Sequence, residues 1–212
     1  MSAPVRVHEA RCLDSLQSQF FFKDDFIGDQ LQDIWNSQGD VGGSAVVVDG
    51  ETGGVVRITT DGDTNDDWQI NWGNTQILLA SKRCSFETNI KLNSITQVLV
   101  FIVVENNGSN RLFSFTYDSS TDTNWQIQCI NTATTEADTG IAVDTDAHIF
   151  RAVCHTHGSA HVHFYIDNVE TANSPITTNV PVAYGEPVLY LLTLENVAKS
   201  MDVDYVSIRQ DR

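Results

Sequence analysis

Basic residues are scarce in this sequence. Twelve Lys and Arg stand against 28 Asp and Glu, a formal charge of −16 over 212 residues. That balance argues against a nucleic-acid grip or an anionic membrane surface, both of which need clustered cations. Long apolar runs are missing as well, and no stretch approaches the roughly 20 residues of a membrane-spanning helix. The opening Met-Ser-Ala-Pro-Val-Arg-Val-His lacks a basic region followed by an apolar one, so no secretory signal is expected. Cysteines number four, Cys12, Cys84, Cys129 and Cys154, with no C-x-x-C pair. Such scatter excludes a dense disulfide scaffold and predicts free thiols in a reducing cytoplasm, at least two of them on strands. There is no P-loop, no dinucleotide glycine fingerprint and no G-x-S-x-G elbow. Helical periodicity is nearly absent; only Asp29 to Ile34 suggests a short turn, capped by Asp29.

What remains is a β pattern on a chain that is 41% apolar, ample for a core. Phe86 to Leu92 alternates apolar and polar residues, with Thr88 on the inward set. Val98 to Val104 is a continuous apolar run and predicts a strand buried on both faces. Arg111 to Tyr117 puts Leu112, Ser114 and Thr116 on one face and Phe113, Phe115 and Tyr117 on the other. Trp125, Ile127 and Cys129 alternate likewise. Further runs cover Ile149 to His155, His161 to Asp167, Leu189 to Leu194 and Met201 to Ile208. Turn signals such as Asn106-Asn107-Gly108 and Asp167-Asn168 separate them at about the 8–12 residue spacing of sandwiches. The expectation is an all-β sandwich of two antiparallel sheets over residues 23–212, preceded by an extended arm, residues 1–22. Val5, Val7, Leu13, Leu16, Phe20, Phe21 and Phe22 are the arm's candidate partner-binding residues, because such side chains are costly to leave in water.

Several segments resemble the concanavalin A-like (lectin/glucanase, laminin-G-like) jelly-roll family. They are Lys23-Asp24-Asp25-Phe26-Ile27-Gly28 with Leu31 and Trp35, Gly53-Gly54-Val55-Val56-Arg57-Ile58, Phe86 to Leu92, Phe150-Arg151-Ala152-Val153 with His163 to Asp167, and Asp202 to Ile208. The resemblance implies a jelly roll whose last strand returns beside its first. In style it is similar to structural proteins of tailed bacteriophages. That likeness implies a non-enzymatic virion protein, a capsid decoration or cement protein located on the virion, assembled in the host cytoplasm. Its partners would be the major capsid or other virion proteins and further copies of itself in a homo-oligomer, with no cofactor, nucleic acid or membrane.

Glucanases of the family carry E-x-D-x-x-E on one strand, and that motif is absent here. Glu87 reads as a lone outward acid, and Asp202 with Asp204 as a solvated strand face opposite Met201, Val203 and Tyr205. A lyase site would draw on Gln126, Gln128, His161, His163 and Tyr165. Trp68 and Trp72, four apart on a strand and so on one face, are the candidate carbohydrate-stacking residues for the alternative of a carbohydrate-binding module. His155, His157, His161 and His163 share a face if their hairpin loop has three residues, and separate if it has two; they are the candidate metal ligands. Asp61 to Asp67 begins like a calcium loop but has Asp66 and Trp72 where an EF-hand has Gly and Glu.

Overall fold

The computed structural model describes residues 19–48, 53–106, 110–155 and 159–211. Their strands are β1 (Gln19–Asp24), β2 (Asn36–Gly39), β3 (Ser44–Val47), β4 (Val56–Thr59), β5 (Asp67–Asn71), β6 (Leu78–Leu79), β7 (Ser85–Leu92) and β8 (Val98–Asn106). There follow β9 (Asn110–Asp118), β10 (Asn124–Ile130), β11 (Thr134–Ala142), β12 (Ala147–His155), β13 (His161–Ile166), β14 (Val169–Glu170), β15 (Tyr184–Thr193) and β16 (Ser200–Asp211). Sheet A runs β14-β13-β12-β7-β16-β4-β3, with β1 also on β16. Sheet B runs β11-β10-β9-β8-β15-β5-β2, with β6 also on β15. Every pairing is antiparallel, and the two sheets stack as a sandwich.

Alternation supplies the core. Phe86, Thr88, Ile90 and Leu92 of β7 face Phe113, Phe115, Trp125 and Ile127 of sheet B, all buried. Phe150 bridges the layers, its ring centroid 4.6 Å from Trp125 and 5.2 Å from Phe115. Buried Thr88 satisfies its hydroxyl on the Tyr205 carbonyl at 2.7 Å, as an inward polar group must. Cys129 and Cys154 lie on strands and Cys84 just before β7; all three are buried, unbridged thiols. Burial pushes Cys129 up to about 12, so it is a packing group rather than a nucleophile. Cys12 lies outside the described residues.

Three expectations change. Asp29 to Ile34 forms bends and a turn, not a helix, and Trp35 N–H donates to the Gln32 carbonyl at 2.9 Å. Gly28, immediately before the stretch, has φ +134°, a conformation from which a helix does not start. Secondly, the arm does not extend to Phe22. Phe20, Phe21 and Phe22 belong to β1, which pairs with β16 from Gln19↔Asp211 to Asp24↔Val206. Phe20 and Phe22 pack on the core, while Phe21 faces out, 58% exposed. Val5, Val7, Leu13 and Leu16 lie outside the described residues. Thirdly, Tyr205 does not sit opposite Asp204. The register shifts between Val203 and Tyr205, so the Tyr205 hydroxyl donates to outward Glu87 at 2.8 Å while Asn89 donates to Asp204.

The first-strand motif acquires a physical reason. Asp24 is 1% exposed, and its carboxylate accepts from Phe26 N–H (2.9 Å), Gln32 Nε2 (3.1 Å) and Trp35 Nε1 (2.8 Å). It pins the returning chain to the core. Gly54 is held to glycine by φ +80° and by the Phe26 carbonyl, 2.4 Å from where a Cβ would stand.

Candidate functional site

The outward face of sheet B is the unusual surface. β8 is the centre of that sheet and apolar on both sides, as the continuous run predicts. Val98, Val100, Ile102 and Val104 point into the sandwich, while Phe101 and Val103 form a second, separate cluster with Val188, Leu99 and Tyr190 on the outside. Among the described residues no third layer covers them, yet Phe101 is 9%, Val103 2% and Val188 1% exposed. A trough whose walls shield its own floor accounts for this burial.

Strand register lays two polar rows across the trough. In one, Gln38, Gln69, Tyr190, Phe101, Thr116, Gln126 and Asp138 stand side by side. In the other, Asn36, Asn71, Val188, Val103, Ser114, Gln128 and Glu136 do so. Six strand steps of about 4.8 Å give the trough a length of roughly 29 Å. At its middle the Phe101 and Tyr190 rings stack, centroids 5.4 Å apart and planes 29° apart. Carboxamides flank this apolar centre on both sides. Gln128 donates to the Glu136 carboxylate and Asn124 to Asp138 at 3.0 Å. Ser114 Oγ is buried in the floor without a hydrogen-bond partner, a group that a ligand hydroxyl would satisfy. Beside it Leu99, Phe101, Thr116, Asp118, Asp122, Gln128 and Glu136 line a cleft of about 260 Å³. On β15, two residues before Val188, burial holds the Glu186 carboxyl above its ordinary range, although backbone N–H groups of Asn74 and Trp72 donate to it.

Along β8 the outward positions Leu99, Phe101 and Val103 are apolar, where a catalytic strand would carry its acids. The nearest acids on β8 and β15 are Glu105 and Glu186, which stand opposite each other two residues beyond the Val103–Val188 pair. Asp118 Oδ1 is occupied by Ser120 N–H (2.9 Å) and Oγ (2.6 Å), and Asp122 Oδ2 by Asp118 N–H (3.1 Å). These bonds shape the β9–β10 turn.

The other predicted residues fall elsewhere. Trp68 and Trp72 do share a face, but it is the inward one, a correction to their reading as stacking platforms. Trp72 is 3% exposed, and Trp68 packs on the core while its Nε1 donates to Ser37. Gln69 and Asn71 between them are the residues that reach the trough. The lyase set does not assemble either. Gln126 and Gln128 stand on sheet B, whereas His161, His163 and Tyr165 stand on sheet A, on the far side of the sandwich. The histidine hairpin follows neither expected loop length, because His155 pairs with His161 and residues 156–160 connect them. His157 lies outside the described residues. Asp61, Asp63 and Asp66 bring one carboxylate oxygen each to within 4.8 Å of one another. Asp202 is engaged in a two-point pair with Arg57, at 2.6 and 2.8 Å. Phe101 and Tyr190 escaped sequence reasoning. The signal was the double-sided apolar run of β8, which places an aromatic ring on the open face.

No family model matches this chain, and no curated protein does. Solved structures do resemble it. A pseudo β-1,3-glucanase and immunostimulatory antigen of Mycobacterium tuberculosis aligns with TM-score 0.64 at 16% identity, over 90% of this chain and 98% of that one. A β-1,3-glucanase of Mycobacterium marinum aligns at 0.63 and 13%, covering 88% and 97%. The carbohydrate recognition domain of Emp47p aligns at 0.61 and 9%, covering 91% and 95%. At such identities the likeness concerns the fold, which is the concanavalin A-like jelly roll.

Proposed function

We propose that the protein is a non-enzymatic carbohydrate-binding jelly roll that holds a run of sugar units along the sheet B trough. The observation that carries this reading is the Phe101–Tyr190 pair at the trough's centre, bordered on both sides by carboxamide rows. A stacked apolar floor suits the C–H face of a pyranose ring, and Asn and Gln both donate to and accept from sugar hydroxyls. The likeness to glucanases and to a carbohydrate recognition domain supports a glycan in this position, with linear β-glucans the first class to try. Apolar side chains along the middle of β8 support binding without cleavage.

Affinity electrophoresis through soluble β-glucan, together with a glycan array, tests the reading. Retardation by a glycan is expected, with no reducing ends released on prolonged incubation. Tyr190→Ala should weaken binding at least ~10-fold, about 1.4 kcal/mol. A flat array, binding indifferent to Tyr190→Ala, or release of reducing sugar would overturn it.

Phe21 favours a second reading, attachment of the leading segment to a virion shell. It projects 58% exposed from β1, which among the described residues pairs only with β16 and so leaves one edge open. Deleting residues 1–18 should leave the sandwich folded and abolish co-sedimentation with capsid shells. Full occupancy by the truncated chain would remove this role.

A further inference from the structure

On sheet A, remote from the trough, three imidazoles converge. His161 and His163 are two apart on β13 and therefore share a face. His155 on β12 stands directly opposite His161. The ring centroids are 5.2 Å apart for His155 and His161, 5.1 Å for His155 and His163, and 5.0 Å for His161 and His163. All three rings are open to solvent at least in part.

The hydrogen bonds around these rings set which nitrogen is available. His163 Nδ1 lies 2.5 Å from Glu170 Oε1, and the same oxygen accepts from Ser174 Oγ at 2.9 Å. His161 Nδ1 lies 2.7 Å from the Ser159 carbonyl. A carboxylate and a carbonyl can only accept. Each Nδ1 therefore carries a proton, and in the neutral ring each Nε2 presents a lone pair. A carboxylate or carbonyl behind the imidazole is the arrangement that orients metal-binding histidines and raises their basicity. The association with His163 also holds the Glu170 carboxyl below its ordinary range.

Spacing agrees with that use. With metal–nitrogen bonds of about 2.0–2.1 Å and about 1.2 Å from nitrogen to ring centre, three imidazoles on one tetrahedral ion stand about 5.3 Å apart. The observed separations of 5.0–5.2 Å lie close to this value, while the ring nitrogens as they stand are not all within 4.8 Å of one another, so the site needs one ring to rotate. His155 is stacked flat on His161, with an interplanar angle of 13°. It is exposed at the end of its strand, and its rotation would complete the set.

We propose that His155, His161 and His163 form a surface site for a nitrogen-preferring divalent cation of the Zn2+ or Cu2+ class, with Glu170 as its positioning residue. Imidazole donors select these ions over Mg2+ and Ca2+, which take oxygen ligands. The chain's charge of −16 raises the local concentration of any cation. Three protein ligands leave the fourth position open to water or to a donor from another molecule.

Zn2+ titration of the untagged full chain against a chromophoric chelator tests the site. One Zn2+ per chain should bind at micromolar concentration, and Mg2+ and Ca2+ should not compete. His161→Asn and His163→Asn should each weaken binding at least ~30-fold. Glu170→Gln should weaken it roughly 10-fold, as loss of an orienting partner does. His148→Asn should leave it unchanged, because His148 is held between Asp144 and Asp167. In the wild-type chain Zn2+ should protect His161 and His163 from acylation by diethylpyrocarbonate, and Mg2+ should not; this readout needs no variant to fold. Absence of saturable Zn2+ binding, affinity unaltered by His161→Asn or His163→Asn, or equal acylation with and without Zn2+ would each overturn the proposal.

Discussion

Asp24→Ala is expected to lower the free energy of unfolding by about 3–5 kcal/mol, read as a shift of the urea midpoint at unchanged slope. Three donors converge on this carboxylate, from Phe26 N–H, Gln32 Nε2 and Trp35 Nε1. A hydrogen bond to a charged group contributes about 1.5–3 kcal/mol, and a buried donor left without its acceptor costs about 1–3 kcal/mol. Phe26 and Trp35 are themselves 3% and 6% exposed, so water does not readily replace the lost oxygen. Asp24→Asn should fall between, about 2 kcal/mol, because its amide keeps one acceptor but sets an NH2 group against one of the donors. A loss under about 1 kcal/mol for Asp24→Ala would show that the carboxylate does not anchor the first strand.

Phe150→Ala should cost about 3–5 kcal/mol by the same measurement. Its ring is fully buried and packs edge-on against Phe115 and Trp125 of the facing sheet. Truncation removes the transfer energy of the ring and leaves a cavity between two paired sheets that cannot readily close on it. Phe150→Leu, which keeps most of the volume, should cost under about 2 kcal/mol. If Phe150→Ala matched Phe150→Leu, the sheets would be approaching each other freely and the close-packed account of this core would fail.

Long strands are legible because they alternate or run apolar over five residues or more. The alternation from Phe86 to Leu92 marks β7 to within one residue, and β8, β9, β10, β12, β13, β15 and β16 follow from their patterns with shifted ends. Short and polar strands were not. β2 (Asn-Ser-Gln-Gly) has no apolar side, and β11 is an edge strand written Thr-Thr-Glu-Ala-Asp-Thr-Gly-Ile-Ala. Both obtain their geometry from a neighbour's backbone rather than from their own side chains.

The candidate sites show the same division. Spacing placed Trp68 and Trp72 on one face, correctly, but period two cannot say which face meets the core. Pairing of Trp68 with Leu191 and of Ile70 with Leu189 decided it. The histidines show a milder case. The observed register differs from the three-residue loop by two positions, and a shift of two restores the same face. His155, His161 and His163 therefore still meet.

By itself, then, the sequence determined the layer class, the inward set of each long strand and the absence of a glucanase acid motif, since all of these follow from local periodicity and residue type. Tertiary structure alone decided that Phe101 and Tyr190 stack across β8 and β15, residues almost 90 positions apart, and that carboxamides from three other strands border them. No local pattern encodes that meeting; it arises from strand order and register, which only the assembled sheet fixes.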